Sequence, residues 1–210
     1  MYYPDCLSIR VHGEDTITFL QQLLTCDVRN ITEAPILTAC CNIKGRIIAN
    51  MMIQRADDDI VITLPTAMKA LLLQHCQRYL FRSKVAFLDE PTLHSHYPAE
   101  TIWILPETSG LFLPQSLGLE KGDGVSFKKG CYLGQEVIAR TQHLGRLKRH
   151  AHRCHPINPA PNIGTTICDA AAQAVGTVAA CWEQAMVIVI EDRAVTSDLF
   201  CNNQPIHIAD

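Results

Sequence analysis

The sequence predicts an α+β domain followed by a small all-β domain. Three observations carry this. Up to about residue 88, strand-like alternation and helix-like periodicity take turns along the chain. From Leu147 onward helical spacing gives way to short β-like runs separated by turn residues, the pattern of a small barrel or sandwich. The 210 residues suffice for one large domain or two small ones, and 48% hydrophobic against 19% charged residues is the balance of a chain that buries a core. The expected boundary lies near 145–148, which gives domains 1–146 and 147–210. No internal repeat is evident.

The elements follow in order. Leu7 to Val11 alternates apolar and polar as a half-buried strand does. Gly13 to Thr16 offers turn and N-cap chemistry, and Ile17, Leu20, Leu23 and Leu24 recur at helical spacing, so a helix is expected to end near Asp27. Ile36 to Asn42 and Arg46 to Arg55 read as strands joined by a Lys44-Gly45 hairpin. After a polar turn at 56–59, Ile60 to Leu64 is apolar throughout and is expected to be a central strand. Pro65-Thr66 opens a helix whose stripe runs through Met68, Leu71, Leu72, His75, Cys76, Tyr79 and Leu80. Lys84 to Leu88 is a further strand. Residues 89–124 are irregular, with one short strand expected at Ile102 to Leu105. Leu133 to Thr141 reads as a short helix closed by Gly145. The β-like runs of the second domain are Arg149 to Cys154, Gly164 to Cys168, Ala174 to Ala180, Ala185 to Ile190 and Pro205 to Ile208.

Composition excludes several classes. Eleven glycines and eleven prolines leave no room for a collagen-like or low-complexity chain. A net charge of -3 excludes a globally basic nucleic-acid binder but not a local basic patch. Met1 to Asp5 carries no basic and apolar leader pattern, and no window is apolar enough to cross a bilayer. A cytoplasmic protein without membrane attachment is the expectation. The ten cysteines show no C-x-x-C spacing, so most read as small buried hydrophobes in a reducing compartment.

The distinctive stretch is Ser126-Phe127-Lys128-Lys129-Gly130-Cys131-Tyr132-Leu133-Gly134-Gln135-Glu136. It sets a cysteine in a glycine-flanked loop before a helix. A helix N-terminus and the charges of Lys128 and Lys129 both favour a thiolate, so Cys131 is the cysteine best placed to react. Gly130 and Gly134 permit close approach to the backbone. Glu136 is suited to capping the helix or to pairing with Arg140 one turn on. The alternative is a buried Cys131 whose glycines only shape a turn. Both readings stand on spacing alone.

Lys129 to Glu136 resembles the K-G-C-[FY]-x-G-Q-E signature of the YgfZ-type folate-binding proteins, relatives of the aminomethyltransferase (T-protein) of the glycine cleavage system. Flanking stretches resemble that family in order: Val11 to Asp15, Phe19 to Gln21, Thr25 to Val28, Asn42 to Ile47, Ser109 to Gln115, Gly124 to Phe127, and Gly164 to Ile190. The resemblance implies a T-protein-like folate-binding domain, an antiparallel sheet with helices, followed by a C-terminal β-barrel. It implies an accessory factor for assembly or repair of iron–sulfur clusters in client enzymes, one of them a tRNA-modifying enzyme. Cys131 would be the functional thiol. Lys129, Gly130, Tyr132, Gly134, Gln135, Glu136, Arg140 and Gln115 would frame it and a tetrahydrofolate derivative. Partners would be iron–sulfur client enzymes or assembly proteins, with tRNA reached indirectly.

Two features bear on activity. No carboxylate occupies the Asn42-Ile43-Lys44 turn, which favours the accessory role over tetrahydrofolate-dependent aminomethyl or methyl transfer. The interval between Leu88 and Ser109 is about twenty residues where fuller members carry a middle domain, so part of a folate pocket is expected to be missing.

Two further features stay open. The stretch 128–153 holds seven basic residues (Lys128, Lys129, Arg140, Arg146, Lys148, Arg149 and Arg153) and one acid, a local charge of +6. It suits a folate glutamate tail, RNA or an acidic protein, or is simply a solvated face. His150, His152 and Cys154 share one face of a strand, as a metal site or as structural residues. Cys40 and Cys41 are expected on opposite faces of their strand.

Overall fold

The computed structural model describes residues 4–91, 98, 100–145 and 147–209. Arg146, counted in the basic stretch and the expected boundary, lies outside them, as do Met1 to Tyr3.

The first sheet has five antiparallel strands in the order β2-β3-β4-β1-β5. They are β1 (Cys6–His12), β2 (Ile36–Cys41), β3 (Ile47–Ala56), β4 (Asp59–Pro65) and β5 (Ala86–Glu90). The apolar β4 is central, as its unbroken Ile-Val-Ile pattern requires, and its Ile60, Ile62 and Leu64 are buried. Helix α1 (Thr16–Leu23) buries Phe19, Leu20 and Leu23. Helix α2 (Lys69–Leu80), preceded by a 3-10 turn at Thr66–Met68, buries Leu72, His75 and Cys76, while Tyr79 of the expected stripe is exposed. Helix α3 (Gln135–His143) carries the motif's C-terminal end.

Three sequence expectations change. Helix α1 stops at Leu23 rather than near Asp27. Leu24 is extended and bridges to Cys40 of β2, while Asp27 instead caps a 3-10 turn at Val28–Asn30 by accepting from the Arg29 N–H. At the other end Asp15 does not cap α1 with its side chain; its carboxylate accepts the Lys84 N–H at 2.7 Å. Residues 102–105 form no strand. The buried side chain of Asn50 donates to the Ile102 carbonyl at 2.7 Å and accepts the Ile104 N–H at 2.8 Å, so one amide supplies what a ladder would.

The second sheet runs β11-β10-β7-β8-β9-β6. Its strands are β6 (Arg149–Cys154), β7 (Thr166–Asp169), β8 (Ala174–Cys181), β9 (Met186–Glu191), β10 (Leu199–Cys201) and β11 (Gln204–Ile206). β10, three residues long and cut short by the turn at Asn202-Asn203, has no counterpart in the sequence reading. The two edges meet beyond β11. Cys154 bridges to Ile208, and the Ala209 N–H donates to the Arg153 carbonyl at 2.8 Å, which closes the sheet as a small barrel. The barrel interior holds Ile167, Val175, Val178, Ile188, Ile190 and Leu199. A bulge at Val178–Ala180 shifts the register, and Ala179, Ala180, Val187 and Val189 join the core of the first sheet instead. The two sheets therefore share an apolar contact. Among the described residues no helix is long and apolar enough to cross a membrane.

Candidate functional site

The motif loop rests on the outer edge of β2. Thr38 to Cys41 is buried, and the chain after α1 covers the outer edge of that strand. The Thr25 N–H donates to the Ala39 carbonyl, and the Ser126 N–H donates to the Thr25 carbonyl at 2.8 Å. Two fully buried hydroxyls, Thr25 and Thr38, donate to the Gly124 carbonyl at 2.6 and 3.0 Å. Every layer from β2 to residue 126 is thus fixed by satisfied polar groups.

From there the loop sends alternate groups inward. The Ser126 hydroxyl accepts the Lys129 N–H at 3.2 Å. Lys129 is 5% exposed, and its ammonium donates to the carbonyls of Leu24 at 2.7 Å and Cys26 at 2.6 Å. Burial pushes its pKa down to about 8. The Tyr132 ring lies 4.8 Å from that nitrogen. Burial, and secondarily the nearby Cys41, raise the Tyr132 hydroxyl above the ordinary phenol range, and among the described residues this hydroxyl has no hydrogen-bond partner. The Leu133 N–H donates to the Gln22 carbonyl at 3.0 Å.

Gly134 caps α3 with φ +82° and is seated on the Asn42–Gly45 turn, where an added Cβ would stand 2.5 Å from the Asn42 carbonyl oxygen. Only glycine meets both conditions. Ile138 is fully buried, and its carbonyl accepts the Gln115 amide at 2.7 Å. Gln135 begins α3 with its N–H on the Tyr132 carbonyl at 3.1 Å.

Gly130 and Cys131 remain outside this packing. An added Cβ at Gly130 would meet nothing within 4 Å. All ten cysteines are free thiols, and Cys131 is the one that is exposed. Cys26, Cys40, Cys41, Cys76, Cys154 and Cys201 are buried. Burial pushes Cys76 and Cys154 up to about 12 and Cys181 to about 11. The geometry therefore presents one thiol to solvent on a loop whose flanks are anchored.

The structure alters several of the sequence's electrostatic expectations. Helix α3 starts at Gln135, so Cys131 lies ahead of the first turn rather than on it, and a helix-end effect falls off within a turn. The Lys129 ammonium is bound to carbonyls in the core and is not turned toward the loop surface. Glu136 is exposed in the first turn, makes no capping hydrogen bond, and is not paired with the exposed Arg140.

The basic stretch is also not a single free face. Besides Lys129, Arg149 pairs with Glu191 at 2.9 Å and Arg153 with Glu100. His150 pairs with Asp192 at 2.6 Å, Cys154 is buried, and the His152 Nε2 is buried without a partner among the described residues. Among the described residues no group of three or more His, Cys, Asp or Glu could hold a metal ion.

Two clefts adjoin the motif. One, of about 540 Å³, is lined by Ile31, Ile36, Val125 and Phe127 with Asp123 and Lys128 among its polar groups. The other, of about 890 Å³, lies between α3 and the barrel. Cys131 lines neither. The Thr25–Thr38–Gly124 cluster and the Asn42–Gly45 seat had no signal in the sequence beyond turn residues, because their roles depend on contacts between distant segments.

Comparison with known proteins bears first on the fold. The glycine cleavage system aminomethyltransferase T of Bartonella henselae superposes with a TM-score of 0.71 over 96% of this chain and 81% of that one, at 10% sequence identity. The fold is that of the aminomethyltransferase T-protein. No family model matches the chain. The tRNA-modifying protein YgfZ of Colwellia psychrerythraea is 26% identical over 216 residues, 68% of this chain and 67% of that protein. The YgfZ of Klebsiella pneumoniae is 23% identical over 71% of this chain and 69% of its own length. The human mitochondrial iron-sulfur cluster assembly factor IBA57 is 39% identical over 71 residues, 32% of this chain and 20% of that protein. In sequence the chain is similar to the YgfZ proteins, and it spans about two thirds of the length of those relatives.

Proposed function

We propose that this chain is a cytoplasmic accessory protein in iron–sulfur cluster assembly or repair, with a tRNA-modifying enzyme among its clients, and that Cys131 is its functional thiol. The proposal draws on what the relatives' names say of them, tRNA modification for YgfZ and cluster assembly for IBA57. One observation carries it: Cys131 is the exposed cysteine of ten, on a loop held on one side by buried Lys129 and on the other by Gly134, seated on the Asn42–Gly45 turn. Such a loop offers a thiol to another macromolecule without moving its own support. In a strain lacking the gene, Cys131→Ala is expected to leave the iron–sulfur client enzyme inactive at normal protein level. Full restoration of activity would contradict the thiol's role.

Tetrahydrofolate belongs to the proposal in a changed position. Of the residues that the resemblance assigns to it, Lys129, Tyr132, Gly134 and the Gln115 amide hydrogen are spent on internal contacts. The 540 Å³ cleft beside the motif has apolar walls and a few polar groups, which suits a heterocycle with a polar edge. Phe127 would pack on the ring and Asp123 and Lys128 would meet its polar atoms. Calorimetric titration with tetrahydrofolate should show one site, weakened at least tenfold by Phe127→Ala. Absence of binding removes the cofactor and leaves the thiol reading to the genetic test.

A further inference from the structure

The 890 Å³ cleft between α3 and the barrel has a role of its own. Four cationic side chains line it: Arg46 from the start of β3, Lys148 and Arg149 at the entry to β6, and Arg193 after β9. Its carboxylates are already engaged. Glu191 accepts from Arg149 at 2.9 Å and from Arg193 at 2.6 Å, and Asp192 pairs with His150. Among the described residues no carboxylate pairs with Arg46 or Lys148. Arg46 is half-buried, donates to the Leu111 carbonyl at 3.0 Å, and is disfavoured as a cation by burial and by the neighbouring Arg149. Two like charges from different sheets thus line one cleft, where an anion would relieve the repulsion. Leu113, Val137 and Leu147 give the same cleft an apolar wall.

We infer that this cleft binds a small organic anion, with a doubly charged head on Arg46 and Lys148 and an apolar body against Leu113, Val137 and Leu147. These two cations, without a carboxylate partner among the described residues, match a dianion, and the volume fits a ligand of mononucleotide size. The head is a phosphate monoester or a dicarboxylate, two groups with the same charge and acceptor chemistry. The inference goes beyond the reading above, since Cys131 does not line the cleft and the site is indifferent to whether that thiol acts. Occupancy would tie α3, which follows directly on the motif loop, to the barrel.

The test is calorimetry and thermal melting of the full chain with AMP, adenosine and glutarate. AMP or glutarate should bind at one site and raise the melting temperature, and the tighter of the two identifies the head. Adenosine, which lacks the charge, should bind at least tenfold more weakly than AMP. Lys148 is exposed, so Lys148→Ala should fold normally and weaken binding tenfold or more, while Arg46→Lys should weaken it less than Arg46→Met. Equal binding of AMP and adenosine, no binding of either anion at millimolar concentration, or unchanged affinity in Lys148→Ala would each overturn the inference.

Discussion

The motif Lys129 to Glu136 has two sides with opposite properties. Its inner side, Lys129, Tyr132 and Gly134, is buried or pressed against backbone and holds the loop to α1 and to the β2–β3 turn. Its outer side, Gly130, Cys131 and Glu136, touches little. A contiguous signature thus mixes residues that build the site with residues that present it. A substitution on the inner side should be read in stability, and one on the outer side in function.

The sharpest way to break this division is Gly134→Ala. The new methyl would meet the Asn42 carbonyl at 2.5 Å, and alanine disfavours φ +82°. A loss of roughly 3 kcal/mol is expected in denaturant unfolding, from backbone strain plus overpacking. A loss below the error of the method would show that the Asn42–Gly45 turn is not a rigid seat.

Lys129→Met should come next, at about 2 kcal/mol, because the Leu24 and Cys26 carbonyls would lose their buried donor. The same pair of proteins tests the titration. The folded-state pKa of Lys129 is about 8, below its ordinary 10.5, so between those values the unfolded chain holds a proton that the folded chain has released. Stability therefore rises with pH across that window in the wild type relative to Lys129→Met, by roughly 3 kcal/mol. A flat difference would mean that the amine is not desolvated.

Cys131→Ser is expected to have the smallest effect on stability, within about 0.5 kcal/mol, since the side chain packs against little. A large destabilisation would place Cys131 on the inner side.

Much of the fold was legible because periodicity is local. The apolar run Ile60 to Leu64 predicted a central strand, and the Met68 to Cys76 stripe predicted the buried face of α2. What was not legible depended on partners distant in sequence. The strand-like apolar run at 102–105 became an irregular segment because Asn50 took its hydrogen bonds. Helix α1 ended early because Leu24 found Cys40. At the site, the signature located the loop, and Gly134 marked where backbone comes close, whereas Gly130 has open space around it. Charge was the unreadable part. Lys129 looked like a surface cation and is a buried tether, and Arg149 and Arg153 looked available and are paired.

The most direct test of the central claim is competitive alkylation of the native protein by iodoacetamide, read residue by residue in a mass spectrometer. Cys131 should be modified at least tenfold faster than each of the other nine thiols, and unfolding should erase the difference. Comparable labelling of Cys131 and a buried thiol such as Cys26 or Cys41 in the native protein would contradict the account.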